Sequence, residues 1–199
     1  ITDGKDKLFF LPRDNRLIKE GLEVSAAFEE DIAFIEKNGF KLSKKEFFGY
    51  EYIYRTDDFV KIEGKEFRDF RKAVNKFQKN NNYSIKYSYD KYRVVEFLNK
   101  WAAQKNMDNK SELTVKSFKE EYNSSIKAID LIDEIPTRQI YVEVNGELAG
   151  FALFLPIRKD LWVCLMQKTN YFYKGLSRFL YTLKANEMNG IEYFTTGAS

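Results

Sequence analysis

Residues 138–156 read RQIYVEVNGELAGFALFLP, two runs rich in β-branched and aromatic residues on either side of Asn145-Gly146. Asn-Gly between two such runs is the strongest short-range signal for a β-hairpin. We therefore predict strands at Arg138–Val144 and Glu147–Pro156. A third apolar run, Leu161–Gln167, extends the hairpin to a three-stranded meander.

Apolar periodicity outside the meander predicts further elements from residue 83 onward. They are a strand at Tyr83–Tyr89, helices at Tyr92–Gln104, Val115–Ile132 and Gly175–Met188, and a strand at Ile191–Thr195. The order is thus strand, helix, helix, three strands, helix and strand. This order predicts an α+β fold with a mixed sheet flanked by helices.

The N-terminal part gives weaker signals of the same two kinds. Strands are predicted at Leu8–Leu11, Phe47–Tyr54 and Phe59–Ile62. Between the first two, Phe28, Ile32 and Ile35 recur at helical spacing, and Asn38-Gly39 supplies a stop.

Residues 65–80 predict an amphipathic helix with one apolar stripe and a basic remainder. The segment has six basic and two acidic side chains, so its charge of +4 exceeds the +3 of the whole chain. Cations along one side of a helix could meet successive RNA phosphates or an anionic bilayer. The alternative is a solvated face whose Lys and Arg stems cover apolar surface. The candidate anion-binding or RNA-binding residues are Lys65, Arg68, Arg71, Lys72 and Lys76.

Composition narrows the chemistry. A length of 199 residues fits one large domain or two small ones with a shared core. With no His, the chain lacks the imidazole base, the Ser-His pair and the commonest zinc ligand. The single cysteine, Cys164, excludes an intrachain disulfide and favours a reducing compartment, so we expect the cytoplasm. Cys164 lies in an apolar run and is predicted to be a packed core thiol.

The ends of the chain suggest a piece of a longer protein. It begins at Ile1 without a methionine, and no run approaches the roughly 18 to 20 apolar residues that span a bilayer. Flanking segments could supply a membrane anchor, in which case we expect membrane association.

Several motifs carry a resemblance to a known family. They are GYEYIYRTDDFVKIEGKEFRDFRKAVNKF (49–77), FLNKW (97–101), GELAGF (146–151), QKT (167–169) and YKGL (173–176). Together they resemble the C-terminal domain family of phosphatidylglycerol lysyltransferases, within the GNAT-like acyltransferase superfamily. The resemblance covers about residues 45–198.

This resemblance implies two GNAT-like halves, with the N-terminal one incomplete. We place them at residues 1–82, which include the basic helix, and 83–199. It also implies transfer of an acyl group, in the characterised branch an aminoacyl group from a charged tRNA to a lipid headgroup. The chain departs from the family at two places. Gln167 stands where the family often has Glu. Thr195-Thr196-Gly197-Ala198 stands where the family often has Asn-Arg-Glu and an acidic residue before Gly.

The resemblance places a donor site where the ends of two strands converge. The candidate substrate-binding residues are Gln167, Lys168, Tyr173, Lys174, Gly175, Thr195 and Thr196. Their alternative interpretation is ordinary polar strand ends and a turn glycine. Gly175 could admit a phosphate to the following helix N-terminus, but the turn lacks the multi-glycine loop of acetyl-CoA enzymes. We therefore favour an aminoacyl or another unusual donor over acetyl-CoA.

Three functions remain open on the sequence alone. The first is a GNAT-like acyl or aminoacyl transferase without a metal, whose donor is aminoacyl-tRNA or acyl-CoA and whose catalytic residues are unassigned. Without His, the proton acceptor would be a carboxylate, a tyrosine, a water chain or the substrate. The second is a non-catalytic module that docks tRNA or an anionic lipid surface. The third is a CoA-dependent N-acetyltransferase.

Overall fold

The computed structural model describes residues 7–10, 23–27, 29–46, 51–106, 112–134 and 136–196. The chain divides into two compact units, residues 1–50 and 51–199. The first unit holds β1 (Lys7–Phe10), which pairs in parallel with β2 (Glu23–Ala26), and α1 (Glu29–Lys37). The predicted helix is confirmed as α1, and the predicted strand Leu8–Leu11 is confirmed over residues 8–10; Phe28 and Leu11 lie outside the described residues.

The second unit holds a six-stranded sheet in the order β3-β8-β7-β6-β5-β4. Its elements are β3 (Ile53–Arg55), α2 (Thr56–Lys61), α3 (Arg68–Asn80), β4 (Tyr83–Lys86), α4 (Lys91–Asn106), α5 (Glu112–Asp130), β5 (Arg138–Val144), β6 (Glu147–Pro156), β7 (Leu161–Thr169), α6 (Leu176–Glu187) and β8 (Tyr193–Thr195). Only the β7–β8 pairing of this sheet is parallel. The predicted α+β fold with a mixed sheet is confirmed.

The hairpin between β5 and β6 has the predicted bounds and turn. Asn145 and Gly146 have φ angles of 54° and 82°, the left-handed conformation that both central residues of a type I′ turn need. β4 adds to the other edge of β5, and β7 continues the meander two residues beyond the predicted Gln167.

Alternation along the strands builds one core on each face of the sheet. Ile140 and Val142 pack with side chains of α3 and α6, whereas Tyr141 packs with side chains of α4 and α5. Because both faces are covered, the central strands are buried almost throughout.

The predicted strand at Phe59–Ile62 is wrong, because these residues belong mostly to α2. Asp57 and Asp58 lie in the first turn of α2, where carboxylates favour a helix. Phe59 uses this helix to reach a group of aromatic rings that includes Tyr54 and Phe194. A short apolar run does not distinguish helix from strand by periodicity alone.

Other element boundaries shift by a few residues. Within the predicted strand Phe47–Tyr54, residues 47–50 lie outside the described part, and β3 begins only at Ile53 because its partner β8 is three residues long. The helix predicted from Lys65 begins at Arg68. The strand predicted over Tyr83–Tyr89 ends at Lys86.

The division into halves at residues 82 and 83 stays a prediction. β3, α2 and α3 precede that position and share the sheet or the core with elements that follow it. In the part of the chain that is described, no helix is both long and apolar enough to cross a bilayer.

Candidate functional site

The two parallel strands β7 and β8 pair over a short length and then separate. Leu161–Val163 pairs with Tyr193–Thr195, after which β8 ends while β7 continues to Thr169. Beyond Val163, β7 therefore pairs only with β6 among the described residues. Within the described residues, the sheet thus has a gap at this point.

A cleft of about 310 Å³ occupies the gap. One wall is β7, a second is α6, and Thr196 follows β8 on the far side. The lining residues are Cys164, Leu165, Met166, Gln167, Lys168, Ser177, Tyr181, Lys184 and Thr196.

A β-bulge in β7 sets which side chains face the cleft. Leu153 pairs with Met166 and Phe154 pairs with Cys164, so Leu165 has no partner across the strands. A bulge of this kind reorients the following side chains and often lies beside a functional site. Here Leu165 and Met166 both pack into the core under α4 and α5, while Cys164 contacts α6.

Gln167 spans the cleft wall between β7 and α6. Its Nε2 donates to the Ser177 carbonyl oxygen at 3.2 Å and to the Ser177 hydroxyl at 2.9 Å. Its Oε1 is buried and has no hydrogen-bond partner among the described residues. The cleft wall therefore contains a buried acceptor oxygen whose hydrogen bonding no described residue satisfies.

Thr195 and Thr196 have different surroundings at the end of β8. Thr195 is fully buried, and its hydroxyl donates to Glu51 Oε1 at 2.5 Å. Thr196 lines the cleft and hydrogen-bonds Tyr181. Burial raises the pKa of Tyr181, and the Thr196 hydrogen bond only partly opposes this effect. Tyr181 is therefore a neutral hydroxyl at physiological pH.

Lys168 follows Gln167 and its ammonium lies on the opposite face of the sheet. The ammonium pairs with Glu121, which also binds Lys105 at 2.6 Å, and lies 4.5 Å from the Trp101 ring centre. Burial raises the pKa of Glu121, but the hydrogen bonds from Lys105 and Lys168 outweigh it and lower the pKa overall. Lys168 thus already has a carboxylate partner within the protein, which it shares with Lys105.

The turn Tyr173-Lys174-Gly175 is shaped by helix packing. Gly175 has φ 93°, and a Cβ there would lie 2.2 Å from the Ala73 carbonyl oxygen of α3. Arg178 Nη1 also donates to the Asp69 carbonyl at 2.8 Å. Because α3 packs directly against the start of α6, close packing of the two helices explains why a glycine stands at this position. Phosphate binding by this turn stays a prediction.

Some basic residues around α3 hydrogen-bond within the protein, and others are exposed to solvent. Arg71 Nη1 donates to the Ile62 carbonyl at 2.5 Å and to the Gly64 carbonyl at 2.9 Å, which ties α3 to the end of α2. Lys65 lies in the turn before the helix. The exposed cations on the helix are Arg68, Lys72, Lys76 and Lys79. Anion binding by this surface stays a prediction.

The structure adds cleft residues that motif analysis did not single out: Ser177, Tyr181 and Lys184. They are spaced i, i+4 and i+7 on α6, so they share one helix face. Their helical spacing on one face of α6 was the signal that the sequence offered. Across the described residues, no group of three or more Cys, Asp or Glu could hold a metal ion.

Comparisons with known proteins agree with this architecture. The family model for the C-terminal region of phosphatidylglycerol lysyltransferase matches residues 20–198. A search of curated proteins gives no match. Among the solved structures that match, two illustrate the shared fold. A conserved protein of unknown function from Bacteroides thetaiotaomicron VPI-5482 has a TM-score of 0.63 and 21% identity, over 73% of this chain and 49% of that one.

The second solved structure is that of L-PGS from Bacillus licheniformis. It has a TM-score of 0.50 and 18% identity, over 87% of this chain and 52% of that one. The chain therefore spans about half the length of the solved structures it matches. At these identities the two structures show a shared fold. The family model covers most of the sequence, and the chain belongs to the phosphatidylglycerol lysyltransferase C-terminal domain family.

Proposed function

We propose that this chain transfers an acyl or aminoacyl group from an activated donor to a nucleophilic acceptor in the cleft between β7 and β8. The observation that carries the proposal is the separation of these parallel strands beside a polar-lined cleft. An amine or hydroxyl of the acceptor attacks the donor carbonyl. The new amide or ester bond forms as the donor ester bond breaks, and the proton ends on the departing hydroxyl.

The edge of β7 supplies the groups that such a reaction needs. Past Val163, the side of β7 away from β6 has no strand partner in the described part of the chain. Backbone N–H groups on such an edge can donate to the oxyanion that develops on the attacked carbonyl. Gln167 Oε1 and the Thr196 hydroxyl can position the acceptor or the donor.

An aminoacyl ester fits this cleft better than acetyl-CoA does. The turn before α6 has one glycine, and the α3 backbone lies against it. Little room remains for a loop of several N–H groups around a pyrophosphate. A thermal unfolding scan with saturating CoA should show no rise in Tm; a rise of several degrees would support the N-acetyltransferase alternative.

Transfer itself can be measured with tRNA carrying a mixture of labelled amino acids. The protein is incubated with this tRNA and with phosphatidylglycerol vesicles or total lipid extract, and label is followed into the organic phase. We expect time-dependent transfer, and about a tenfold or greater loss with Gln167→Ala because a buried hydrogen-bonding group is removed. Gln139→Ala, on β5 away from the cleft, is the matched control.

A docking module would give a different result. If the protein binds tRNA or vesicles while all label stays on the tRNA, the scaffold binds without catalysis. The exposed cations of α3 are the observation that favours this second function.

A further inference from the structure

Lys184 is a fully buried lysine on the wall of the cleft. Its exposed fraction is 0%. Its Nζ donates to Cys164 Sγ at 3.3 Å and lies 4.0 Å from the centre of the Tyr181 ring. Within the described residues, no carboxylate forms a salt bridge with it. Lysines are almost never fully buried without a paired charge.

The other cleft residues do not balance this charge. Of the described residues that line the cleft, none is an aspartate or a glutamate. Lys168 is the other lysine on the lining, but its ammonium lies on the opposite face of the sheet, where it pairs with Glu121. A thiol and an aromatic face are weak partners for an ammonium group. Lys184 is thus a buried amine beside the cleft that no carboxylate of the described residues pairs with.

We propose that the cleft binds a molecule with an anionic group, a carboxylate or a phosphate, whose charge Lys184 balances. The proposal rests on the proposed function and narrows its substrates. The anion is either part of the transferred acyl group or a phosphate of the donor or acceptor. A transferred group with a cationic side chain, such as lysyl or arginyl, is disfavoured at this position.

Cys164 provides a reporter for this charge because it is the single cysteine and it lines the cleft. The native protein is alkylated with iodoacetate, which is anionic, and with iodoacetamide, which is neutral and of similar size. Labelling rates are read by intact-protein mass spectrometry. We expect the iodoacetate-to-iodoacetamide rate ratio to fall about tenfold in Lys184→Met, since the local positive charge is lost. Lys159→Met, an exposed lysine, should leave the ratio unchanged.

A second experiment measures how added anions protect Cys164 of the native protein from alkylation. It identifies the class of ligand, and it still tests the proposal if Lys184→Met does not fold. Inorganic phosphate or glutarate should slow iodoacetamide labelling at least threefold, while neutral glutaramide should not. Protection by phosphate alone indicates a phosphate-bearing ligand, and protection by glutarate alone indicates a carboxylate. Protection by both supports a general anion site.

Three results would overturn the proposal. An unchanged rate ratio in a folded Lys184→Met protein, or equal protection by glutaramide and the anions, removes the anion site and leaves the transferase proposal standing. If neither reagent labels folded native protein, small anions do not reach Cys164 and Lys184; this result also removes the anion site, while the lipid-labelling assay decides the transferase proposal separately.

Discussion

Gly175 is a point of close approach between the backbones of α3 and α6. Its φ is positive, and a Cβ at this position would lie only 2.2 Å from the Ala73 carbonyl oxygen, so there is no room for a side chain. We expect Gly175→Ala to lower the free energy of unfolding by about 2 to 4 kcal/mol. Urea denaturation followed by circular dichroism measures this change.

Gly146→Ala separates backbone strain from steric overlap. Gly146 has φ 82°, but nothing lies within 4 Å of the position that a Cβ would take. Gly146→Ala should lower the free energy of unfolding by only about 1 kcal/mol, the cost of holding alanine in the left-handed conformation. Equal losses at the two glycines would contradict the close approach of α3 and α6.

Glu143 is a buried carboxylate that links β4 to β5. It accepts hydrogen bonds from Lys86 at 2.8 Å, Tyr89 at 2.7 Å and Ser84 at 3.0 Å. The Lys86 bond, followed by the Tyr89 bond, lowers the pKa of Glu143 to about 2. Burial, with the Glu143 hydrogen bond second, raises the pKa of Tyr89 to about 12.

These shifts give Glu143 a pH-dependent contribution to stability. Because its pKa is lower in the folded state, the contribution is complete above about pH 5 and disappears as the pH falls toward about 2. Glu143→Gln should lower the free energy of unfolding by about 1 to 3 kcal/mol at neutral pH, with a difference that shrinks on acidification. Urea titrations across this pH range test it. Glu147→Gln, exposed on the same hairpin, should change stability by less than about 0.5 kcal/mol.

At the scale of elements, the exposed basic surface of α3 can be tested separately for RNA binding. Arg68, Lys72 and Lys76 are exposed, and their removal should not unfold the protein. If α3 binds RNA, the triple alanine variant should reduce the slope of log K against log salt by about 2 to 3. Nitrocellulose filter binding of tRNA across a salt series measures the slope.

The control for α3 replaces three exposed lysines elsewhere in the same unit: Lys100, Lys127 and Lys159. This variant has the same change in net charge. An identical slope change in both variants would mean that only net charge matters, and an unchanged slope in the α3 variant would exclude α3 as the RNA contact.

At the scale of the whole molecule, residues 51–199 contain the entire six-stranded sheet and both core clusters. We expect this fragment to fold by itself, because among the described residues no member of either cluster precedes Tyr54. It should show a single cooperative thermal transition and native-like near-UV circular dichroism. A fragment without a near-UV signal would show that residues 1–50 are needed for packing.

The central meander, the helices after residue 83 and the mixed sheet were predictable because their signals are local. Asn145-Gly146 sets the hairpin, and apolar spacing of 2 or 3.6 residues marks the buried faces. The family was also accessible from short motifs. The α2 segment was mistaken for a strand because Phe59 is positioned by rings distant in sequence, which no local pattern contains.

The candidate site was only partly visible for the same reason. Gln167 and Thr196 were expected near strand ends, and both line the cleft. The Glu121 contact that binds Lys168 and the burial of Lys184 depend on long-range packing. Residue order therefore determined the elements and the family, since propensity and periodicity act over a few neighbours. Tertiary structure alone decided where β7 and β8 separate and which charges face the cleft, since these depend on contacts between distant segments.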